Sequence, residues 1–255
     1  MIQTRLREGR SAVGASLNVY SPHLVELIGS MGFDWVFIDC EHGSITESEA
    51  ENMMRAAETY GIAPVVRVPA NEPHLLLRML DAGAMGIVVP HVDSREDALK
   101  AVAAAKYPPL GERGSNYGTG RNNQYGAGTS SAVEYYAQSN ERTILFALIE
   151  SQSGVDNIDE ILAVDGIDAT WMGPSDMALS MGLPDQQVVD DALDMVVRKT
   201  IAAGKLAAAT HPGPEAVDQI AHFHELGSRV LAVNAFALLK QSAKPWRDTV
   251  RAFDG

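Results

Sequence analysis

Short apolar runs rich in β-branched residues alternate along the chain with segments whose apolar positions recur every three or four residues. The runs at 12–17, 33–38, 63–68, 85–89, 144–149, 168–172, 205–209 and 229–233 read as eight strands. They are apolar almost continuously, the pattern of strands covered on both faces. The segments between them read as helices. One opens at Thr46, with Glu49 three residues on to complete a capping box, and Ala50, Met53, Met54 and Ala57 follow at i, i+3, i+4 and i+7. Further helices are predicted over 22–31, 73–80 and 94–106. The clearest, over 187–203, carries Val189, Ala192, Leu193, Val196, Val197 and Ile201 as one stripe.

Eight strand–helix units in 255 residues match a (β/α)₈ TIM barrel in count and length, so the expectation is α/β, a single domain over 1–255. A doubly wound sheet competes, but no Gly-x-Gly-x-x-Gly follows any predicted strand. The stretch 107–128 breaks the rhythm with Gly, Pro, Asn and Tyr. A loop of that length in a compact domain is usually functional, and it is expected at the active site or at a subunit contact.

Composition narrows the class. The chain has 33 acidic against 20 basic residues, net charge −13. Such a surface repels phosphate backbones, which excludes nucleic acid as a partner. The single cysteine, Cys40, excludes an intramolecular disulfide and a thiolate zinc cluster. No apolar run approaches the roughly 18 to 20 residues of a membrane helix, and the N-terminus lacks a signal-peptide core. A soluble cytoplasmic protein is expected.

In a barrel of this type the chemistry sits at the C-terminal ends of the strands. Glu150 and Asp176 end successive strands and should project into one space. With no Cys or His next to them, they suit an oxygen-rich site for Mg²⁺ or Mn²⁺. The same spacing is met by two carboxylates that merely cap helices. Arg67, between Val66 and Val68, points at the barrel mouth or wall and needs an anion: a substrate oxygen, or a structural Asp. His42, three residues after Asp39, is either a base held by that carboxylate or a solvated loop residue. Histidines 23, 74, 91, 211, 222 and 224 have no comparable setting, and His222 and His224 read as helix surface.

Five motifs in order carry a resemblance. They are Asp-x-Glu-His-Gly at 39–43, Pro-Val-Val-Arg-Val-Pro at 64–69, Leu-Asp-Ala-Gly-Ala-x-Gly-Ile-Val-Val-Pro at 80–90, Ile-Glu-Ser at 149–151 and Gly-Pro-Ser-Asp at 173–176. Over residues 6–240 the chain resembles the class II pyruvate aldolases. These are the 4-hydroxy-2-oxoheptanedioate and 2-dehydro-3-deoxyglucarate aldolases, related to the citrate lyase β chain. The resemblance implies a barrel of the phosphoenolpyruvate/pyruvate superfamily, assembled as a hexamer of three dimers that exchange C-terminal helices. It implies that Glu150 and Asp176 bind a divalent metal (Mg²⁺, Mn²⁺ or Co²⁺). His42, supported by Asp39, would take part in proton transfer, and Arg67 would stabilise the enolate oxygen. Gly173, Pro174, Ser175 and Asp176 would hold the pyruvate carboxylate through their backbone. Asp81 matches an Asp that approaches a neighbouring subunit's site, although its position is also that of a polar residue ending a helix. Leu148 stands where many such aldolases have Gln, which removes one hydrogen bond near the metal.

The activity so implied is reversible cleavage of a 4-hydroxy-2-oxo acid to pyruvate, or a close 2-oxo acid, and an aldehyde. Segments 116–128 and 234–238 would line the aldehyde pocket. A Schiff-base aldolase would need a lysine at a strand end, and Lys205 instead begins the seventh strand. A CoA-thioester lyase of the citramalyl or malyl type would want a basic groove for its nucleotide. A non-catalytic 2-oxo-acid-binding barrel would not need Glu150, Asp176, Arg67 and His42 together.

Overall fold

In the computed structural model, which describes residues 2–127, 131–211, 213 and 215–253, the eight runs form one closed parallel barrel in sequence order. Its strands are β1 (Ala12–Leu17), β2 (Trp35–Asp39), β3 (Ala63–Arg67), β4 (Gly86–Val89), β5 (Ile144–Ile149), β6 (Ala169–Met172), β7 (Leu206–His211) and β8 (Val230–Asn234). β8 closes on β1 with Ala12 opposite Val230 and Ser16 opposite Asn234. The helices outside are α1 (Ile2–Arg7), α2 (Pro22–Ser30), α3 (Glu47–Thr59), α4 (Pro73–Ala82), α5 (Arg95–Ala105), α6 (Ala132–Arg142), α7 (Gln152–Asp156), α8 (Ile158–Leu162), α9 (Pro174–Ser180), α10 (Gln186–Ala202), α11 (Val217–Glu225) and α12 (Ala235–Arg251). Among the described residues no helix is long and apolar enough to cross a membrane.

The capping box forms as read: Thr46 accepts from the Glu49 N–H, and Glu49 returns a carboxylate to the Thr46 backbone. A cap of this kind stabilises a helix by about 1 kcal/mol. The apolar stripes of α3 and α10 are buried against the outside of the barrel.

Alternation along the strands sorts the interior. Trp35 and Phe37 of β2, Val65 of β3, Phe146 and Leu148 of β5 and Trp171 of β6 pack into one inner cluster. Trp171 meets the Trp35 ring edge-on at 5.6 Å and Phe37 at 4.6 Å. Gly14 faces the same space: a Cβ there would lie 2.2 Å from Trp35 Cε2, so only glycine admits the indole. Moving up each strand by two residues from this apolar plug reaches Asp39, Arg67 and Glu150. The plug is the floor on which those polar groups stand.

The segment 107–128 corrects an expectation. It lies between α5 and α6, within the connection from α5 to β5, and in a parallel barrel such helix-to-strand connections fall at the N-terminal ends of the strands. Most of it is described (Gly128 lies outside the described residues), and it carries a 3₁₀ turn, Arg121–Gly126, before α6. Arg121 ties it to Glu58 at 2.6 Å and to the Ala82 carbonyl at 2.6 Å. It therefore sits at the end of its own barrel opposite the strand-end carboxylates, where it borders a cavity of about 530 Å³ lined by Arg113, Arg121 and Tyr135. It cannot wall this chain's own aldehyde pocket.

Lys106 anchors that insertion. The side chain is 1% exposed, and its Nζ donates to the Thr143 carbonyl and Asp168 Oδ2, both at 2.7 Å, and to the Asn140 carbonyl at 3.1 Å. Lys106→Met keeps the aliphatic volume and removes the charge, leaving three acceptors short of a donor. Breaking a buried pair costs about 3 to 5 kcal/mol. Water at the partly exposed Asp168 puts this case near the lower figure, roughly 10 °C in Tm for a chain of this size. Thermal unfolding checks it, and an unchanged Tm would mean that solvent satisfies the acceptors.

Candidate active site

The C-terminal mouth of the barrel gathers residues from β2, β3, β4, β5 and the turn after β6. β2 delivers Asp39 inward, 6% exposed, and the chain then turns through Glu41 and His42. β3 lies in register with it, Asp39 opposite Arg67. The guanidinium forks onto this neighbour: Nε donates to Asp39 Oδ1 at 2.9 Å and Nη2 to Oδ2 at 2.6 Å, while Nη1 lies 3.0 Å from Glu41 Oε2. Burial works against the charge on Arg67, but Asp39, Glu41 and Glu150 outweigh it and hold its pKa above the ordinary value.

This changes the role read for Asp39. Its carboxylate does not orient the His42 imidazole; Oδ1 accepts from the backbone N–H of Glu41 and of His42, and the rest of its capacity goes to Arg67. The His42 ring faces Asp176 instead, with Nε2 3.9 Å from Oδ2. Three residues of separation left too little chain for the ring to turn back onto a carboxylate already enclosed by that turn. Cys40, between them, points outward into the layer under the helices. Burial and the neighbouring Asp39 push its thiol up to about 12, so it is not a nucleophile.

Glu150 is the deepest of the acids, with its side chain 2% exposed. Gly173 makes room for it, since a Cβ there would lie 2.9 Å from Glu150 Oε2. Burial holds the Glu150 carboxyl above the ordinary carboxylate range. The His91 backbone and ring pull it down again, and Glu41 and Asp176 push it up. Asp176 stands in the first turn of α9, after Gly173 and Pro174. Among residues 173–176, Gly173 spends its N–H on the Ile149 carbonyl at 3.2 Å, and Pro174 has none. Only the N–H groups of Ser175 and Asp176 are left to receive a carboxylate.

Two residues absent from the sequence-based set belong here. His91, just past β4, places Nδ1 3.1 Å from Glu150 Oε1 and Nε2 3.6 Å from Glu41 Oε1. Its backbone N–H donates to the same Glu150 oxygen at 2.9 Å. Donor atoms of Glu41, His91 and Glu150 lie within 4.8 Å of one another, a spacing that suits one cation. The signal that would have found His91 is close to the one that found Glu150: a polar residue within two positions of a strand end. Asp81, in contrast, is not in this mouth. It ends α4 at the far end of the barrel, accepting from Arg113 Nη2 at 2.8 Å and Asn122 Nδ2 at 3.1 Å.

A buried carboxylate with a second acid nearby, an imidazole and an unfilled need for positive charge fits a divalent cation. Residues 14–235 match the HpcH/HpaI aldolase/citrate lyase family. The chain is 33% identical over 242 residues to a 2-keto-3-deoxy-L-rhamnonate aldolase of Escherichia coli O6:K15:H31, covering 94% of this chain and 88% of that one. It superposes on the HpcH/HpaI aldolase of Desulfitobacterium hafniense DCB-2 with a TM-score of 0.87 and 30% identity, over 98% of this chain and 96% of that chain. The citrate synthase SbnG is similar to the same degree, with a TM-score of 0.87 and 28% identity over 100% and 99% of the two chains. A closed parallel barrel with this acid-lined mouth and this extent of likeness makes the chain a carbon–carbon lyase, a member of the HpcH/HpaI aldolase/citrate lyase family.

Proposed function

We propose that this lyase is a divalent-metal-dependent aldolase that reversibly cleaves a 4-hydroxy-2-oxo acid to pyruvate, or a close 2-oxo acid, and an aldehyde. The observation that carries the reading is Glu150: a carboxylate 2% exposed, with Asp176 and Arg67 close enough to act on it electrostatically. Glu150 and Asp176 hold the cation, and Mg²⁺, Mn²⁺ and Co²⁺ are the candidates. A bound cation supplies Lewis acidity to a 2-oxo acid chelated through its carboxylate and carbonyl. Ser175 and Asp176 offer backbone N–H groups to the same carboxylate.

Arg67 presents positive charge where the enolate oxygen develops, and Asp39 and Glu41 keep the guanidinium from swinging away. His42, half exposed beside Asp176, moves the proton of the 4-hydroxyl, a step worth about 10² to 10⁴ in rate. The 2-keto-3-deoxy-L-rhamnonate of the E. coli relative's name is itself a 2-oxo acid with an unsubstituted C3, the skeleton such a cleavage requires.

The reading extends to assembly. α12 buries none of its residues, and Leu239, Trp246, Val250 and Phe253 stand exposed along and just past it, 61%, 71%, 45% and 85% accessible. Such a helix suits coverage by a second copy, in a hexamer of three dimers that exchange C-terminal helices. In that assembly Asp81 and the 107–128 segment are free to face a neighbour's site. The test is pyruvate release from a panel of 4-hydroxy-2-oxo acids, with chelator and after adding back Mg²⁺, Mn²⁺ or Co²⁺. Pyruvate is expected only with metal. Release of no pyruvate from any member of the panel, or release undiminished by chelator, overturns the proposal.

A further inference from the structure

The metal-dependent reading above uses two carboxylates and leaves His91 without a task. Its position is costly. The residue has φ of 53°, in the left-handed region that costs a residue other than glycine about 1 to 3 kcal/mol. The backbone holds that conformation because its N–H closes onto Glu150 Oε1 at 2.9 Å. The ring is then carried over the acid, Nδ1 3.1 Å from the same oxygen, with Nε2 toward Glu41 at 3.6 Å. Glu41 is itself fixed, because Arg67 Nη1 lies 3.0 Å from its other oxygen.

We propose that His91 is a third protein ligand of the cation, through Nδ1, and that its nitrogen tilts the site from Mg²⁺ toward Co²⁺ and other later first-row metals. The arrangement is that of a ligating histidine whose second nitrogen faces a carboxylate. With a cation bound, the ring proton would sit on Nε2, which faces Glu41 at 3.6 Å, and Nδ1, 3.1 Å from Glu150, would turn its lone pair to the metal. Mg²⁺ takes oxygen donors in a near-ideal octahedron and gains little from an imidazole, whereas Co²⁺ binds nitrogen more tightly. Two carboxylates alone would separate Mg²⁺ from Co²⁺ less sharply than a set that includes nitrogen. A ring placed by a strained backbone makes the preference a property of this chain. The proposal rests on the metal-dependent reading and goes beyond it in naming a ligand and a preference.

The experiment measures metal binding, not turnover. Mg²⁺ and Co²⁺ are each titrated calorimetrically into the full chain, and the visible spectrum of the Co²⁺ form is recorded. His91→Gly and His91→Asn are the variants, since both residues accept a positive φ and keep the N–H that Glu150 needs. Losing even an outer partner of a metal typically costs about 10- to 100-fold in affinity. Both variants are therefore expected to weaken Co²⁺ by at least that factor, to leave Mg²⁺ within about threefold, and to alter the Co²⁺ spectrum. Proton NMR of the wild-type Co²⁺ form should show a shifted imidazole resonance that both variants lack.

An equal loss for both metals makes His91 a clamp on Glu150 and overturns the ligand assignment. So does an unchanged Co²⁺ affinity, or a wild-type chain with no preference for Co²⁺. Glu150→Gln separates this from failure of the underlying reading. If that variant keeps full affinity for both metals, the metal is held elsewhere, and the metal-dependent reading falls together with the ligand assignment.

Discussion

Glu150→Gln is expected to lower lyase turnover by about 10³-fold or more while the barrel stays folded. Lewis-acid stabilisation is worth several kcal/mol at the transition state, and each 1.4 kcal/mol is tenfold in rate. The amide oxygen of glutamine can still accept the His91 N–H, now 2.9 Å from the carboxylate, and its volume still fits against Gly173. What it lacks is charge. Removing it also removes a buried carboxylate whose pKa burial has raised, so the variant should unfold at no lower temperature than the metal-free parent. Metal content, Tm and kcat on one preparation check the claim. Full activity in the variant, or in the parent with excess chelator, would falsify it.

Arg67→Ala should fail twice over. Losing the donor at the developing enolate oxygen is expected to lower kcat by about 10² to 10³. Losing the fork also strands Asp39 and Glu41, whose side chains are 9% and 13% exposed, at a cost of about 3 to 5 kcal/mol of folding stability. The two losses can be separated. Arg67→Met combined with Asp39→Asn removes both members of the closest pair, and it should recover part of the Tm and none of the rate. Arg67→Lys should keep the fold but only a fraction of the rate, because one ammonium cannot match the fork that meets Oδ1 and Oδ2 of Asp39 together with Glu41. If the double variant regains activity with stability, Arg67 is purely structural.

The barrel was legible because each element announces itself over a short stretch. Strands 33–38 and 144–149 are apolar on both faces, and Thr46 with Glu49 states where a helix begins. The strand-end residues were legible for a related reason: in this fold, position on the strand decides which end a side chain reaches. Partnership is another matter. The sequence offers His42, three residues away, as the partner of Asp39, but its partner is Arg67, 28 residues away on the adjacent strand. His91 has no telling setting in the sequence, because the acid that gives the ring its place lies 59 residues on. The 107–128 segment was read by its length and composition. Its location follows instead from chain direction, since it leaves the end of α5 and the chain returns through α6 to the start of β5.

The isolation of α12 has a kinetic meaning. Once β8 pairs with β1, ending at Asn234, the barrel is closed, and the seventeen residues of the last helix add no buried side chain to it. Closing the barrel is an event within one molecule, indifferent to dilution. Sheltering Trp246 and Val250 by a second copy, as proposed above, would be a step between molecules whose speed rises with concentration. In the proposed assembly, freshly made chains would therefore pass through a finished but sticky intermediate, persisting longest where the protein is scarce and most exposed to wrong partners where unfolded protein is abundant.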